Sequence, residues 1–282
     1  MHLPAITPQR ILVPVDFSDC AEKAYHLAVK LADTFQAELH CIHVIHLPVA
    51  DEHMPPAMIT QLVEDQEAAS DKRLKVFTGK NDSKTIVPIC KTLLGFVSDA
   101  VVQYAKTHDI SLIIMGTQGM NSVGDKIFGT VSWNTIKHAH VPVLTIPCDV
   151  EVTDFRNILI PFEGTDIDMD AIAYLLNFAS YFNAKLHGIH FIINNAVLNK
   201  PLADKMQMKF RKDIDAGNLL FHFISEKNIT DGILKYAQHN DIDLVSMITY
   251  NKGLVATIFH MSICRYASTH FNFPLLAFNA DT

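Results

Sequence analysis

Three glycines with a fixed spacing offer the clearest chemistry in the sequence: Gly116, Gly119 and Gly129. They follow an apolar run that predicts a buried strand, and the last one precedes a predicted helix start at Thr130 and Ser132. Glycine lets the backbone approach a ligand where a Cβ would collide. Free amides and the helix dipole favour an anion at such a helix start, and the hydroxyls add donors. The pattern therefore predicts a phosphate cradle; a flexible loop between two helix caps is the plain alternative.

Alternating strands and helices must position this cradle. Short apolar strands that alternate with helices predict a parallel sheet covered on both faces. Ligands bind such sheets outside the carboxyl ends of the strands, where the strand order reverses. Asp16, Val44 and Gly116 come at such ends, so we expect them to converge. In the N-terminal half we predict strands over 11–15, 39–45, 85–90, 112–115 and 141–146, and helices over 18–35, 56–77, 98–107 and 132–137.

The chain repeats itself. Residues 37–45 and 184–192 share six of nine residues at an offset of 147, and Met115 returns as Met247 at an offset of 132. Similarity that keeps its order along the chain indicates duplication of one domain. We therefore predict one domain at residues 1–149 and a second at 150–282.

Composition excludes several classes of protein. The chain has 282 residues, 49% hydrophobic and 19% charged, with a net charge of -7. This charge argues against a nucleic-acid partner, and the sequence shows neither a secretory signal nor a membrane span. We expect a cytoplasmic globular protein. The five cysteines are dispersed, which predicts reduced thiols and no disulfide frame.

The 15 histidines invite a metal hypothesis, which the spacing disfavours. His40 and His43 are three apart on a predicted strand, so they point to opposite faces. We therefore expect no metal site. No Walker lysine follows the glycines, and no serine–histidine–acid set indicates a hydrolase.

Two motifs resemble one known family. Residues 11–16, Ile-Leu-Val-Pro-Val-Asp, followed by a helix that begins at Ser18, are similar to the opening of the universal stress protein family. The segment from Met115 to Ser132 resembles its ATP-binding motif: glycine, two residues, glycine, nine residues, glycine, then serine or threonine. Both halves share the resemblance, so the whole chain resembles a tandem member with an intact motif in its N-terminal domain.

The resemblance implies an α/β fold of two tandem five-stranded parallel-sheet domains, Rossmann-like and similar to adenine nucleotide alpha hydrolases. It implies an intrachain pseudo-dimer in which residues 141–146 pair with 275–278, and one ATP with Mg²⁺ per chain, in the N-terminal domain. Asp16 would accept a ribose hydroxyl, although it could instead cap the following helix. The other implied nucleotide contacts are Pro14, Val15, Val44, Met115 and Gly116 for the nucleoside, and Gly119, Gly129, Thr130, Val131 and Ser132 for the phosphates.

The second copy departs from the motif. Its equivalents of Gly116, Gly119, Gly129 and Asp16 are Ile248, Asn251, Met261 and Glu163. Side chains would stand where the backbone should meet the nucleotide. The C-terminal site is therefore predicted to be degenerate.

The leading hypothesis is an ATP-binding stress-response regulator with an unidentified protein partner, in which nucleotide orders the loop from Gly116 to Gly129. Two alternatives stay open. One is a slow ATP hydrolase, with Asp125 as the nearest carboxylate, or an enzyme that phosphorylates itself at Thr130 or Ser132. The other is a nucleotide-free structural interaction protein. No catalytic residue is assigned, and a further homodimer is left open.

Overall fold

The protein is described by a computed structural model that covers residues 7–46, 55–80, 83, 85–117, 129–152, 154–162, 166–192, 200–226, 228–249 and 273–279. The chain forms two compact units that part after Cys148. The N-terminal unit is Pro8–Cys148, and the C-terminal unit is built from the residues that follow it together with Thr7. No helix in these described ranges is long and apolar enough to cross a bilayer.

The N-terminal unit is a parallel five-stranded sheet with helices packed on it. Its strand order is β3-β2-β1-β4-β5, so the order reverses at β1, which lies between β2 and β4. Helices α1 and α2 pack on the sheet, and α3 and α4 pack on each other. The elements are β1 (Arg10–Pro14), α1 (Asp19–Phe35), β2 (Glu38–Ile45), α2 (Pro56–Thr78), β3 (Ile89–Leu94), α3 (Val97–Thr107), β4 (Leu112–Gly116), α4 (Thr130–His138) and β5 (Val143–Ile146).

Helix α1 shows how local sequence sets these elements. Ser18 is its N-cap, and the Ser18 side chain accepts a hydrogen bond from the Ala21 amide. Its apolar face is buried against β1 and β4, with Leu31 fully buried. Gln36 ends the helix in the left-handed conformation, where its amide bonds back to the carbonyls of the last turn.

The predicted bounds of the third strand were wrong. The third strand is Ile89–Leu94, not residues 85–90, and Val87 is 83% exposed. Pro88 lacks the N–H that a ladder needs, so pairing with β2 begins only at Ile89. Helix α3 begins at Val97, one residue before the predicted start, and its N-cap residue Phe96 makes no side-chain hydrogen bond.

The C-terminal unit has the same architecture. Its five parallel strands follow the order β10-β9-β6-β7-β8, with the reversal at β6. The elements are β6 (Asn157–Pro161), α5 (Asp166–Ser180), β7 (Lys185–Ile192), α6 (Lys200–Lys209), α7 (Arg211–Asp215), β8 (Leu219–Ser225), α8 (Ile229–His239), β9 (Leu244–Thr249) and β10 (Leu275–Asn279). The predicted α/β class with parallel five-stranded sheets is confirmed.

Candidate functional site

The carboxyl end of β1 turns sharply into α1. The Val15 amide donates to the Ile42 carbonyl at 2.7 Å, which holds the turn against β2. The Val15 carbonyl accepts from Nδ1 of His43 at 2.6 Å, so that ring nitrogen carries the proton. Phe17 has φ of 66°, a conformation that residues other than glycine rarely adopt. The turn thus places Pro14, half-buried, and Asp16 at the end of the sheet.

Asp16 holds Ser18, the N-cap of α1, in place. Its Oδ1 accepts from the Ser18 amide at 3.0 Å and from the Ser18 hydroxyl at 2.6 Å. The cap itself is Ser18, and Asp16 supports it through these two bonds. The Ser18 hydroxyl donates to Asp16 and also accepts from the Ala21 amide. The two side chains therefore fix each other and orient the carboxylate at the carboxyl end of β1.

Two residues that the sequence analysis did not single out for the site, His43 and Arg73, pack on Phe17, which follows Asp16 in the chain. The Phe17 ring centroid is 4.5 Å from that of His43, and the Arg73 guanidinium carbon lies 4.0 Å from the Phe17 ring centroid. A cation over an aromatic face is attracted by the ring quadrupole. His43 recurs in the second half of the chain as His190, whose Nδ1 donates to the carbonyl of Phe162, as that of His43 does to Val15. This recurrence is the signal in the sequence that could have identified His43 as part of the turn.

The end of β4 approaches the start of α4. The Gly129 amide donates to the Thr117 carbonyl at 2.7 Å, and the Thr117 amide donates to Ile146 of β5 at 3.0 Å. Strand, loop ends and helix are therefore held in the order that the cradle requires. Gly119 and Asp125 fall at 118–128, outside the described residues.

The N-terminus of α4 offers unused amides. Gly129 is its N-cap, with ψ of 142°, and among the described residues no side chain accepts a hydrogen bond at this cap. The first amides of a helix have no acceptor within the helix, and they sit at the positive end of its dipole. Thr130 is exposed and Val131 is half-buried, so this turn can be reached from solvent. The arrangement suits an anionic group.

Ser132 takes a different part from the one expected. Its hydroxyl donates to the Gly116 carbonyl at 2.9 Å, and the residue is 3% exposed. The hydroxyl proton is thus used to tie α4 to β4. Ser132 can offer its backbone amide to a ligand, while its side chain supports the cradle.

The glycines serve packing within the protein. A Cβ on Gly116 would lie 2.7 Å from the Cβ of Cys20, closer than real Cβ atoms come. A Cβ on Gly129 would lie 3.0 Å from the Thr117 carbonyl oxygen. A side chain added at Gly116 would meet α1, and one added at Gly129 would meet the end of the loop.

The remaining residues that the resemblance assigns to the nucleoside lie on neighbouring strands. Val44 is 8% exposed near the end of β2 and pairs in register with Leu93. Met115 is 4% exposed in β4 and pairs with Thr145. Because β1 lies between β2 and β4, the carboxyl ends that carry Val44, Asp16 and Gly116 are adjacent.

The cysteines correct a second expectation. The sequence predicts only reduced, dispersed thiols, whereas the structure joins Cys20 of α1 to Cys148 in a disulfide, with Cα atoms 4.7 Å apart. The two residues are 128 positions apart, so no spacing motif could reveal the pair. Cys41 and Cys90 are free.

The corresponding region of the C-terminal unit is filled. Ile248, the counterpart of Gly116, is 5% exposed in β9. Phe162, the counterpart of Val15, packs on Phe221 with ring centroids 5.4 Å apart. A Cβ on Gly188 would lie 2.7 Å from Cε1 of Phe221, so this glycine makes room for the ring. The counterparts Glu163, Asn251 and Met261 lie outside the described residues.

Comparison with known proteins gives relatives for half of the chain. A universal stress protein of Methanocaldococcus jannaschii is 27% identical over 144 residues, which span 49% of this chain and 81% of that protein. One from Bacillus subtilis is 26% identical over 144 residues, spanning 49% of this chain and 97% of its own length.

Solved structures resemble the whole chain. A universal stress protein from Archaeoglobus fulgidus aligns with a TM-score of 0.72 over 99% of this chain and 98% of its own, at 17% identity. One from Pseudomonas aeruginosa aligns with a TM-score of 0.63 over 97% and 94%, at 15% identity. At identities this low, the structural similarity shows a shared fold alone. The family model described as "Universal stress protein family" matches residues 7–147, half of the sequence, and the chain belongs to this family.

Proposed function

We propose that the N-terminal unit binds ATP, with Mg²⁺, and that the protein is a nucleotide-responsive regulator in a stress response. The observation that carries the proposal is the N-terminus of α4, which follows Gly129, stands beside the end of β4 and has no side-chain cap among the described residues. Free amides and a positive dipole end at the switch point of a parallel sheet suit a phosphate group.

The residues present fit a nucleotide. The backbone amides of Thr130, Val131 and Ser132 would hold the phosphates, and the Asp16 carboxylate would accept a hydroxyl of the ribose. Val44 and Met115 provide an apolar wall for a base on either side of β1. When bound, ATP would supply the negative charge that these amides receive. We further propose that the protein acts in the cytoplasm. A protein partner would bind according to whether nucleotide is present.

Only the N-terminal unit is proposed to bind nucleotide. In the C-terminal unit Ile248 replaces Gly116, and the ring of Phe162 packs where the smaller Val15 stands in the first unit. The proposed stoichiometry is therefore one ATP per chain.

The enzymatic alternative is not part of the proposal. Phosphorylation at Ser132 would require its hydroxyl to give up the hydrogen bond to the Gly116 carbonyl. The residue, now 3% exposed, would also have to become accessible. Thr130, which is exposed, is the accessible hydroxyl of the pair. A Thr130→Ala variant would show by mass spectrometry whether any self-phosphorylation occurs there.

The test is calorimetric titration of the full-length, nucleotide-stripped protein with ATP and Mg²⁺, with GTP as a control for the base. We expect one site per chain for ATP and weaker heat from GTP. Absence of ATP binding would remove the proposal in favour of a structural interaction protein. Two sites would show that the C-terminal unit has been assigned wrongly.

A further inference from the structure

A cysteine pair adjoins the proposed nucleotide site. The Cα atoms of Cys20 and Cys148 are 4.7 Å apart, inside the range of about 4.4–6.8 Å that a disulfide spans. Cys20 lies in the first turn of α1 and is 3% exposed, whereas Cys148 follows β5 and is half-buried. A bond between them therefore joins the start of a helix to the end of a strand.

The position of the pair links it to the cradle. The Cβ of Cys20 lies so close to Gly116 that residue 116 has no room for a Cβ of its own. Ser18, which holds the Asp16 carboxylate, precedes Cys20 by two residues. A movement of Cys20 would therefore reach both the carboxylate and the end of β4.

We propose that Cys20 and Cys148 form a reversible disulfide, made by exchange with a low-molecular-weight disulfide, which tightens nucleotide binding at the adjoining site. Formation of the bond stands independently of the nucleotide. Its effect on affinity rests on the proposed function.

The chemistry balances as two successive thiol–disulfide exchanges. The Cys148 thiolate, the more accessible of the two, attacks a sulfur of the small disulfide and releases one small thiol. The Cys20 thiolate then attacks Sγ of Cys148 in the mixed disulfide and releases the second. The protein loses two protons and two electrons, and the small disulfide is reduced to two thiols. In a reducing compartment such bonds are typically transient and redox-sensing.

Cys41 and Cys90 provide an internal comparison. They face each other in register on β2 and β3, and both thiols are free. Burial raises the pKa of the Cys41 thiol well above its usual value, which disfavours the thiolate needed for exchange. A second pair of thiols at adjacent positions is thus present in the same unit, with Cys41 fully buried and Cys90 half-buried.

The bond is expected to stabilise the ligand-ready form. Two unbonded heavy atoms need roughly 3.5–4 Å, against about 2 Å for bonded sulfurs. Reduction therefore separates the first turn of α1 from the end of β5. Cys20 then loosens its contact with Gly116, and the cradle must be ordered when ligand binds. Holding a site in its bound shape raises affinity by removing that cost.

The first measurement counts thiols in the full-length protein. Samples equilibrated with oxidised or reduced glutathione are quenched with acid, alkylated and weighed by intact mass spectrometry. Of the five cysteines, two should escape alkylation after oxidation, and peptide mapping should join Cys20 to Cys148. If all five thiols were alkylated after oxidation, or if the disulfide joined Cys41 to Cys90, the inference would be overturned.

The second measurement titrates ATP into the oxidised and reduced protein. We expect about fivefold tighter binding in the oxidised form, at the low end of typical coupling between sites. Cys148→Ser should bind ATP equally under both conditions, while Cys90→Ser should keep the difference. If Cys148→Ser is unstable, Cys20→Ala tests the same bond from the other side.

The two proposals fail differently. Equal ATP affinity in both redox forms, with the bond shown by mass, would refute the regulatory effect and leave nucleotide binding intact. No ATP binding in either form would remove the proposed function, and with it the effect on affinity, whereas the thiol count still decides whether the bond forms.

Discussion

A buried histidine bonded to a tyrosine is built into both units. Nδ1 of His40 lies 3.0 Å from the Tyr104 hydroxyl, and Nδ1 of His187 lies 2.9 Å from that of Tyr236. Each pair ties the second strand of its sheet to a helix. Burial lowers the pKa of His40, and burial, with smaller effects of His222 and Lys185, lowers that of His187 to about 4.

These histidines should make the fold sensitive to acid. A lowered folded-state pKa means that the unfolded chain binds the proton more readily. The neutral histidine therefore contributes stability above about pH 6.5 that is lost as pH falls towards 4. For His187 the free energy of unfolding should fall by about 2 kcal/mol between roughly pH 7 and pH 4.5.

Urea unfolding at the two pH values would measure this. His187→Asn should reduce the pH dependence relative to the unmodified protein, whereas His239→Asn, at an exposed position, should leave it unchanged. Equal pH dependence in all three proteins would contradict the assignment.

Asp16 should contribute to affinity through its charge. Asp16→Asn keeps an oxygen that can accept from the Ser18 amide but removes the negative charge. A hydrogen bond to a charged group is worth about 1.5 kcal/mol or more, so ATP binding should weaken about tenfold. Calorimetry on Asp16→Asn and on the exposed Asp19→Asn would separate ribose binding from a general charge effect. Equal affinities would assign Asp16 to support of the Ser18 cap alone.

At the scale of elements, the contact between α1 and β4 depends on Gly116. An added Cβ would lie 2.7 Å from the Cys20 Cβ and 3.0 Å from its backbone carbon, and backbone cannot move aside cheaply. We expect Gly116→Ala to lower the free energy of unfolding by about 2 kcal/mol, the usual range for overpacking. Denaturant unfolding of the reduced protein would measure it; a loss below about 0.5 kcal/mol would show that α1 can shift freely.

Elements with strong local signals were predictable from the sequence. The Ser18 cap and the apolar face of α1 gave the helix within one residue of its start. β3 was misplaced because residues 85–87 have strand-like side chains, although the ladder with β2 can start only after Pro88. Local propensity does not include the partner strand, and register is a property of the pair.

The site was predictable where it depends on topology. Parallel strands bring their ends together, so Asp16, Val44 and Gly116 could be expected to meet. Hydrogen bonds that use up a group were not predictable, as with the Ser132 hydroxyl on the Gly116 carbonyl. The Cys20–Cys148 pair was equally hidden, because only the folded sheet brings residues 128 apart into contact.

At the scale of the whole molecule, one substitution should not restore the second site. Ile248→Gly removes one obstacle, but the rings of Phe162 and Phe221 remain packed together. We expect the stoichiometry to stay at one ATP per chain, and unfolding to become easier by about 3 kcal/mol from the cavity. Calorimetry with denaturant unfolding checks both; a second binding event would show that Ile248 alone blocks the C-terminal unit.

The two units share some features of one sequence pattern and differ in others. Both retain the histidine that bonds the corner carbonyl, His43 on Val15 and His190 on Phe162. We therefore attribute that bond to folding, because it persists in the unit whose sequence does not repeat the glycine motif. Each unit is thus a built-in reference for the other: a change that weakens both reports on the scaffold, and one that acts only on the first reports on the ligand.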